Sequence, residues 1–273
     1  SKQERFFSSS VLKRASGFGP HGPGGVYMIS KAGAVWNFAG GFTLQGVSPS
    51  NGGLPLDFGS VTRVTSPATN DNYISDNYIN TAPSGSDCRD MDAFSKATTI
   101  SYGDIEADPN SDKIYMLNLF QKRLIVFNAS ATTAGLNGAS PATLAPYTSA
   151  YTITSLPGCP APTGAGNNIR PFAVKVYKGK GYIGIMSDAM ATQNLLDLKG
   201  YILQFDPTNI SAGFTTVITI DFNNYRDINN NTSWHPWIST WAQSGGTTTT
   251  GPTFYPQPII SSIEFNENGS MDI

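Results

Sequence analysis

Apolar and polar residues alternate with a period of two in three stretches of near-identical layout. Residues 103–117 (GDIEADPNSDKIYML), 173–185 (AVKVYKGKGYIGI) and 262–273 (SIEFNENGSMDI) each run as a short alternating strand, a polar turn and a second alternating strand. Alternation places successive side chains on opposite faces, and Asn, Asp, Gly or Lys between two such runs marks a β-hairpin. A third strand is expected at residues 25–33 (GVYMISKAG), 123–131 (RLIVFNASA) and 200–209 (GYILQFDPTN). A fourth is expected at 34–44, 151–156 and 214–222, and residues 5–12 (RFFSSSVL) precede the first set. Four antiparallel strands per unit is the layout of a propeller blade. The expected fold is therefore all-β: residues 1–273 as a single β-propeller, or part of one, of four-stranded antiparallel blades.

The repeats are widely spaced, 67 residues from Tyr115 to Tyr182 and 89 from Tyr182 to Met271. An ordinary blade takes ~40–50, so insertions are expected at 46–98, 132–150 and 223–256, all rich in Ser, Thr, Asn, Gly and Pro. These read as surface loops, where rigid scaffolds carry ligand contacts. A short helix is expected at residues 187–198 (SDAMATQNLLDL). About three and a half units fall short of the four to eight blades of a closed ring. Further blades outside these residues, an open arc, or a sandwich would each account for that, and the chain reads as a segment of a longer protein.

Composition narrows the setting. Charged residues make up 13% of the chain, against about 25% usually. Ser, Thr and Asn dominate the polar positions, which suits an extracellular or cell-surface β-protein. Aromatics at 11% argue against disorder. A formal net charge of −2 gives no case for nucleic acid, and no apolar run approaches a membrane span. Cys88 and Cys159 lie in loop-like contexts, where a disulfide and two free thiols are equal alternatives.

Four regions resemble a known family: residues 11–27 (VLKRASGFGPHGPGGVY), 103–124, 170–185 (RPFAVKVYKGKGYIGI) and 255–271 (YPQPIISSIEFNENGSM). They are similar to the amino-terminal propeller region of large bacterial, Bacteroidota-like cell-surface proteins that continue into repeats like the B domains of serine-aspartate-repeat adhesins. The more specific marks are Arg170-Pro171-Phe172 and Pro256-Gln257-Pro258 ahead of their hairpins. Ala15-Ser16 departs from a His-containing pair expected after Leu12-Lys13-Arg14. The resemblance implies an exported, non-catalytic binding or adhesion module, with no catalytic residues to carry over.

Candidate chemistry is sparse. DNYI occurs at 71–74 and again at 76–79, followed by Asp87, Asp90 and Asp92. Asp71, Asp76, Asp90 and Asp92 could supply oxygens to calcium, which takes six to eight. Turn formation is the competing reading, since Asp and Asn also serve turns. Tyr225, Trp234, His235, Trp237 and Trp241 share one insertion with several asparagines. Rings and amides suit a sugar, by stacking and hydrogen bonding, although tryptophans also fill cores. This loop is the expected ligand contact, for a glycan or a protein. Gly17 to Gly22 follow a dinucleotide-type glycine pattern, but Pro20 and Pro23 deny the helix it requires. Glu264 recurs at the position of Glu106, beside Asp104, with Lys175 in the middle unit; that face reads as solvated. Asn128, Asn209, Asn230, Asn231 and Asn268 begin N-x-Ser/Thr patterns, glycosylation acceptors in a eukaryotic secreted protein, although chance explains most of them in this composition. His21 and His235 are the only histidines, neither beside a Gly-x-Ser-x-Gly elbow. The alternatives to a binding module are a secreted carbohydrate-active propeller enzyme and a structural component of a surface layer or filament.

Overall fold

The computed structural model of the chain describes residues 4–8, 20–32, 35–60, 95–108, 110–129, 135–223, 225–227, 232–240 and 255–273. The first sheet holds β1 (Glu4–Ser8), β2 (Gly25–Ala32) and β3 (Val35–Thr43) in that order. The second holds β4 (Tyr102–Ala107), β5 (Lys113–Asn118), β6 (Arg123–Asn128) and β7 (Thr148–Thr152), also in sequence order. The third repeats this meander with β8 (Ile169–Tyr177), β9 (Lys180–Ser187), β10 (Lys199–Phe205) and β11 (Thr215–Asp221). Two small hairpins follow, β12 (Tyr225–Asp227) with β13 (Thr232–Ser233) and β14 (Glu264–Phe265) with β15 (Met271–Asp272). Every strand pair is antiparallel. The protein is all-β, and helix is confined among the described residues to short turns such as α1 (Pro141–Leu144).

The sheets stack through both of their faces. Along β5, Ile114 and Met116 join a core with Val26, Met28 and Phe42, while Tyr115 and Leu117 join a second core with Val174, Ile183 and Leu203. Along β10, Tyr201 and Leu203 face that second core, while Ile202 faces a third with Met186, Trp237 and Ile260. Central strands therefore carry near-continuous apolar runs, as strands buried on both faces require. Each run fills two cores through its period of two.

Glycine sets the spacing at two inter-sheet contacts. A Cβ at Gly184 would lie 2.4 Å from Cγ2 of Ile260, so the third core closes onto bare backbone. A Cβ at Gly103 would lie 2.5 Å from the Phe172 carbonyl, where β4 comes against β8. Both strands bulge there, between Tyr102 and Ile105 and between Pro171 and Ala173.

Four expectations change. The fourth strand of the second sheet is Thr148–Thr152 rather than 151–156, which continues as a 3-10 turn at Ile153–Ser155. The helix expected at 187–198 reduces to one 3-10 turn, Leu195–Asp197, since Ala189 and Gln193 take left-handed conformations. The start of the 46–98 insertion is core rather than loose surface, because Val47, Leu56 and Phe58 are buried. There, Asn51 exchanges two hydrogen bonds with the Ala150 backbone, as a paired strand would, and covers the edge of β7.

The face of Asp104, Glu106, Lys175 and Glu264 is not simply solvated. It forms a seam across three successive hairpins. β8 is an edge strand, and free edge amides invite foreign pairing. Asp104 Oδ2 accepts from Val174 N at 3.2 Å, and Glu106 Oε1 accepts from Val176 N at 3.4 Å. Lys175 Nζ then reaches Glu106 at 3.5 Å and Glu264 at 2.8 Å. Beside it, Tyr177 stacks on Phe265 with centroids 4.2 Å apart. Burial raises the pKa of Asp104 and Glu106 against the lowering pull of Lys175 and the strand amides. Burial would lower Lys175, but its hydrogen bond to Glu264 and the two carboxylate charges leave it raised.

Candidate functional site

One end of the second and third sheets gathers the unusual backbone of the molecule. Six described non-glycine residues have positive φ. Five of them, Thr98, Ser101, Lys122, Ala189 and Gln193, lie in connections at this end, where β5 and β9 finish and β6, β8 and β10 begin. The sixth, Lys178, is in the β8–β9 turn at the opposite end. Left-handed backbone in a β-branched residue such as Thr98 is a steric outlier, and strain of this kind clusters at functional sites.

Local sequence accounts for the turns. Asn118 ends β5 and accepts from Gln121 N at 3.0 Å, while its amide donates to the Asp57 carbonyl at 2.8 Å. This Asx-type closure holds residues 119–122 so that Phe120 projects outward, 49% exposed. Lys122, with φ of 52°, turns the chain back into β6.

Between the two sheets lies an open cavity of about 260 Å3, walled by Leu119, Phe120, Lys122, Ile169, Arg170 and Met190, with Thr98, Thr99, Asn168 and Asp188 completing it. Its floor is a buried ion pair. Arg170 Nε donates to Asp188 Oδ2 at 3.0 Å, and Asp188 Oδ1 accepts from the backbone of Asn168 and Met190. Arg170 Nη1 also donates to the Thr98 hydroxyl at 2.9 Å, and Nη2 approaches the Met190 sulfur at 3.4 Å. The guanidinium carbon sits 4.5 Å above the Trp237 ring. Burial lowers the Arg170 pKa, and Asp188 opposes that shift.

Lys122 stands apart from this closed network. Its Nζ donates to Asn168 Oδ1 at 3.1 Å, and among the described residues no carboxylate is in contact with it. Burial lowers its pKa; Asp188 opposes the shift and Arg170 adds to it. Among the described lining residues, Arg170 and Lys122 face the single carboxylate of Asp188, so the wall carries one net positive charge. A second cavity of about 380 Å3, lined by Gln45, Asp57, Lys96 and Ile100, adjoins the other side of Phe120.

The aromatic insertion reaches this end without lining the cavity. Trp237 N donates to the Asp188 carbonyl at 3.0 Å, Trp237 Nε1 donates to Pro258 at 3.0 Å, and the ring is 8% exposed within the third core. Trp237 thus fills a core and supports Arg170 from below. Trp234 packs edge-on against Phe222, and His235 stacks on Tyr255 at 4.1 Å. Burial lowers the His235 pKa. Tyr225 falls in β12, with its side chain outside the described residues, as is Trp241. Asp71, Asp76, Asp90, Asp92 and Cys88 also lie outside them. Among the described residues, no group of three or more His, Cys, Asp or Glu is placed to hold a metal. Cys159 is a half-buried free thiol. No helix among the described residues is long and apolar enough to cross a membrane.

Arg170 was visible in the sequence only as the head of an Arg-Pro-Phe mark, and Lys122 not at all. The cavity draws on four connections spread from Thr98 to Met190, which no local spacing could join. No family model matches the chain, and the search of curated proteins finds no match.

Proposed function

We propose that the chain is a propeller-type, non-catalytic binding module of a large exported cell-surface protein, with its ligand held on the strand-end face around Phe120, Lys122 and Arg170. One observation carries this reading: five of the six left-handed non-glycine residues meet there, around an open cavity with a half-exposed aromatic ring at its rim. The stacked four-stranded meanders supply a rigid platform, and the inner hairpins follow one another through the Asp104, Glu106, Lys175 and Glu264 seam as blades of a propeller would. Asp104 and Glu106, on one face of β4, are engaged by strand amides, Glu106 also by Lys175.

A glycan and peptide array probed with the wild-type chain and with Phe120→Ser tests this proposal. The expected result is a small set of bound ligands that the variant loses while its melting temperature holds. Binding that persists in Phe120→Ser, or no ligand at all, would reject the assignment of this face.

A further inference from the structure

The cavity walls contain an anion site of one charge beside a flat apolar ring. Lys122 Nζ uses one of its three protons on Asn168 and, among the described residues, pairs with no carboxylate. The other two charges among the described lining residues are those of the Arg170–Asp188 ion pair, so the site keeps one net positive charge. Phe120 offers an exposed ring at the same rim, and Leu119, Ile169 and Met190 make the remaining wall apolar. At about 260 Å3 the cavity falls just below the roughly 300–1,000 Å3 typical of drug-sized ligands. It therefore suits one ring rather than an extended chain. An acidic peptide side chain brings the charge but no face to lay on Phe120, and a neutral sugar brings the face but no charge. A pyranose bearing a carboxylate brings both, with ring hydroxyls for the Thr98, Thr99 and Asn168 side chains. We infer that the strand-end cavity binds a uronic-acid residue of an acidic polysaccharide, its carboxylate on Lys122 and its C–H face on Phe120. This inference rests on the binding-face reading above and specifies its ligand.

The test titrates the 273-residue chain calorimetrically with a galacturonic-acid oligosaccharide, a matched galactose oligosaccharide and an oligo-glutamate peptide. The uronate oligomer is expected to bind, the galactose oligomer at least about tenfold more weakly, since hydrogen bonds to a charged group carry that much, and the glutamate peptide several-fold more weakly, since it has no ring face for Phe120. Lys122→Gln should weaken uronate binding about tenfold or more, Lys122→Arg should retain most of it, and Phe120→Leu should weaken it several-fold. Raising salt should weaken wild-type binding more than Lys122→Gln binding. Equal binding of the galactose oligomer, tighter binding of the peptide, or indifference to Lys122→Gln would overturn the uronate assignment. A galactose or peptide signal that Phe120→Leu still reduces would leave the binding face standing while the uronate assignment falls. No binding of any probe would overturn the inference, with the face itself judged by the array.

Discussion

Two half-buried lysines of this protein have opposite surroundings. Lys175 sits in the seam between hairpins of neighbouring sheets, with Glu106 on one side and Glu264 on the other, and its pKa is raised. Lys122 sits on the wall of the strand-end cavity with one amide oxygen for company, and its pKa is lowered. The first charge is consumed by the fold, because its partners also hold the sheets in order. The second is not: among the described residues, this partly buried cation has no carboxylate of its own in contact. The strained backbone around it, and the closed ion pair beneath it, favour a binding site.

The contrast can be broken from its floor upward. Asp188→Ala should give the largest loss, because it leaves Arg170 buried and unpaired. Breaking such pairs costs about 3–5 kcal/mol, measurable by denaturant unfolding. Gly184→Val should follow, at about 1–3 kcal/mol, since its Cβ would collide with Ile260. Its effect should be on stability alone. Lys175→Met should cost about 1 kcal/mol, as its pairs are partly solvated, and should leave binding intact. Lys122→Gln should change stability by no more than about 0.5 kcal/mol while weakening uronate binding about tenfold or more. That inversion between the two lysines is the sharpest form of the comparison.

The smallest effect is a dependence on pH. Asp104 and Glu106 are raised above their ordinary values of 3.8 and 4.5, chiefly by burial. Their contribution to stability is fully present below those values and is lost as pH rises through the raised ones. Asp104→Asn should therefore look worse, relative to wild type, at pH 3 than at pH 7. Melting curves at both values would check it, and the reverse order would mean that the carboxylate is favoured in its charged form.

The hairpins were legible because their information is local: the alternations at 103–117 and 173–185 became β4–β5 and β8–β9, and FTTVITIDF contains β11. β7 was misplaced because part of its burial comes from residues 50 and 51, about a hundred positions away. The seam was half legible. Register put Glu106, Lys175 and Glu264 at equivalent positions, but whether alternating signs pair or merely face water depends on the distance between neighbouring sheets. The cavity was not legible, since its charge balance requires knowing that Asp188 pairs directly with Arg170 and that no described carboxylate makes such a contact with Lys122.

The most direct measurement follows the two ammonium groups themselves, by NMR of the side-chain Nζ signals during titration with the galacturonic-acid oligosaccharide. The account predicts that the Lys122 signal shifts in step with binding while that of Lys175 stays in place. A shift at Lys175 instead, or saturation of the ligand with no movement at Lys122, would contradict it.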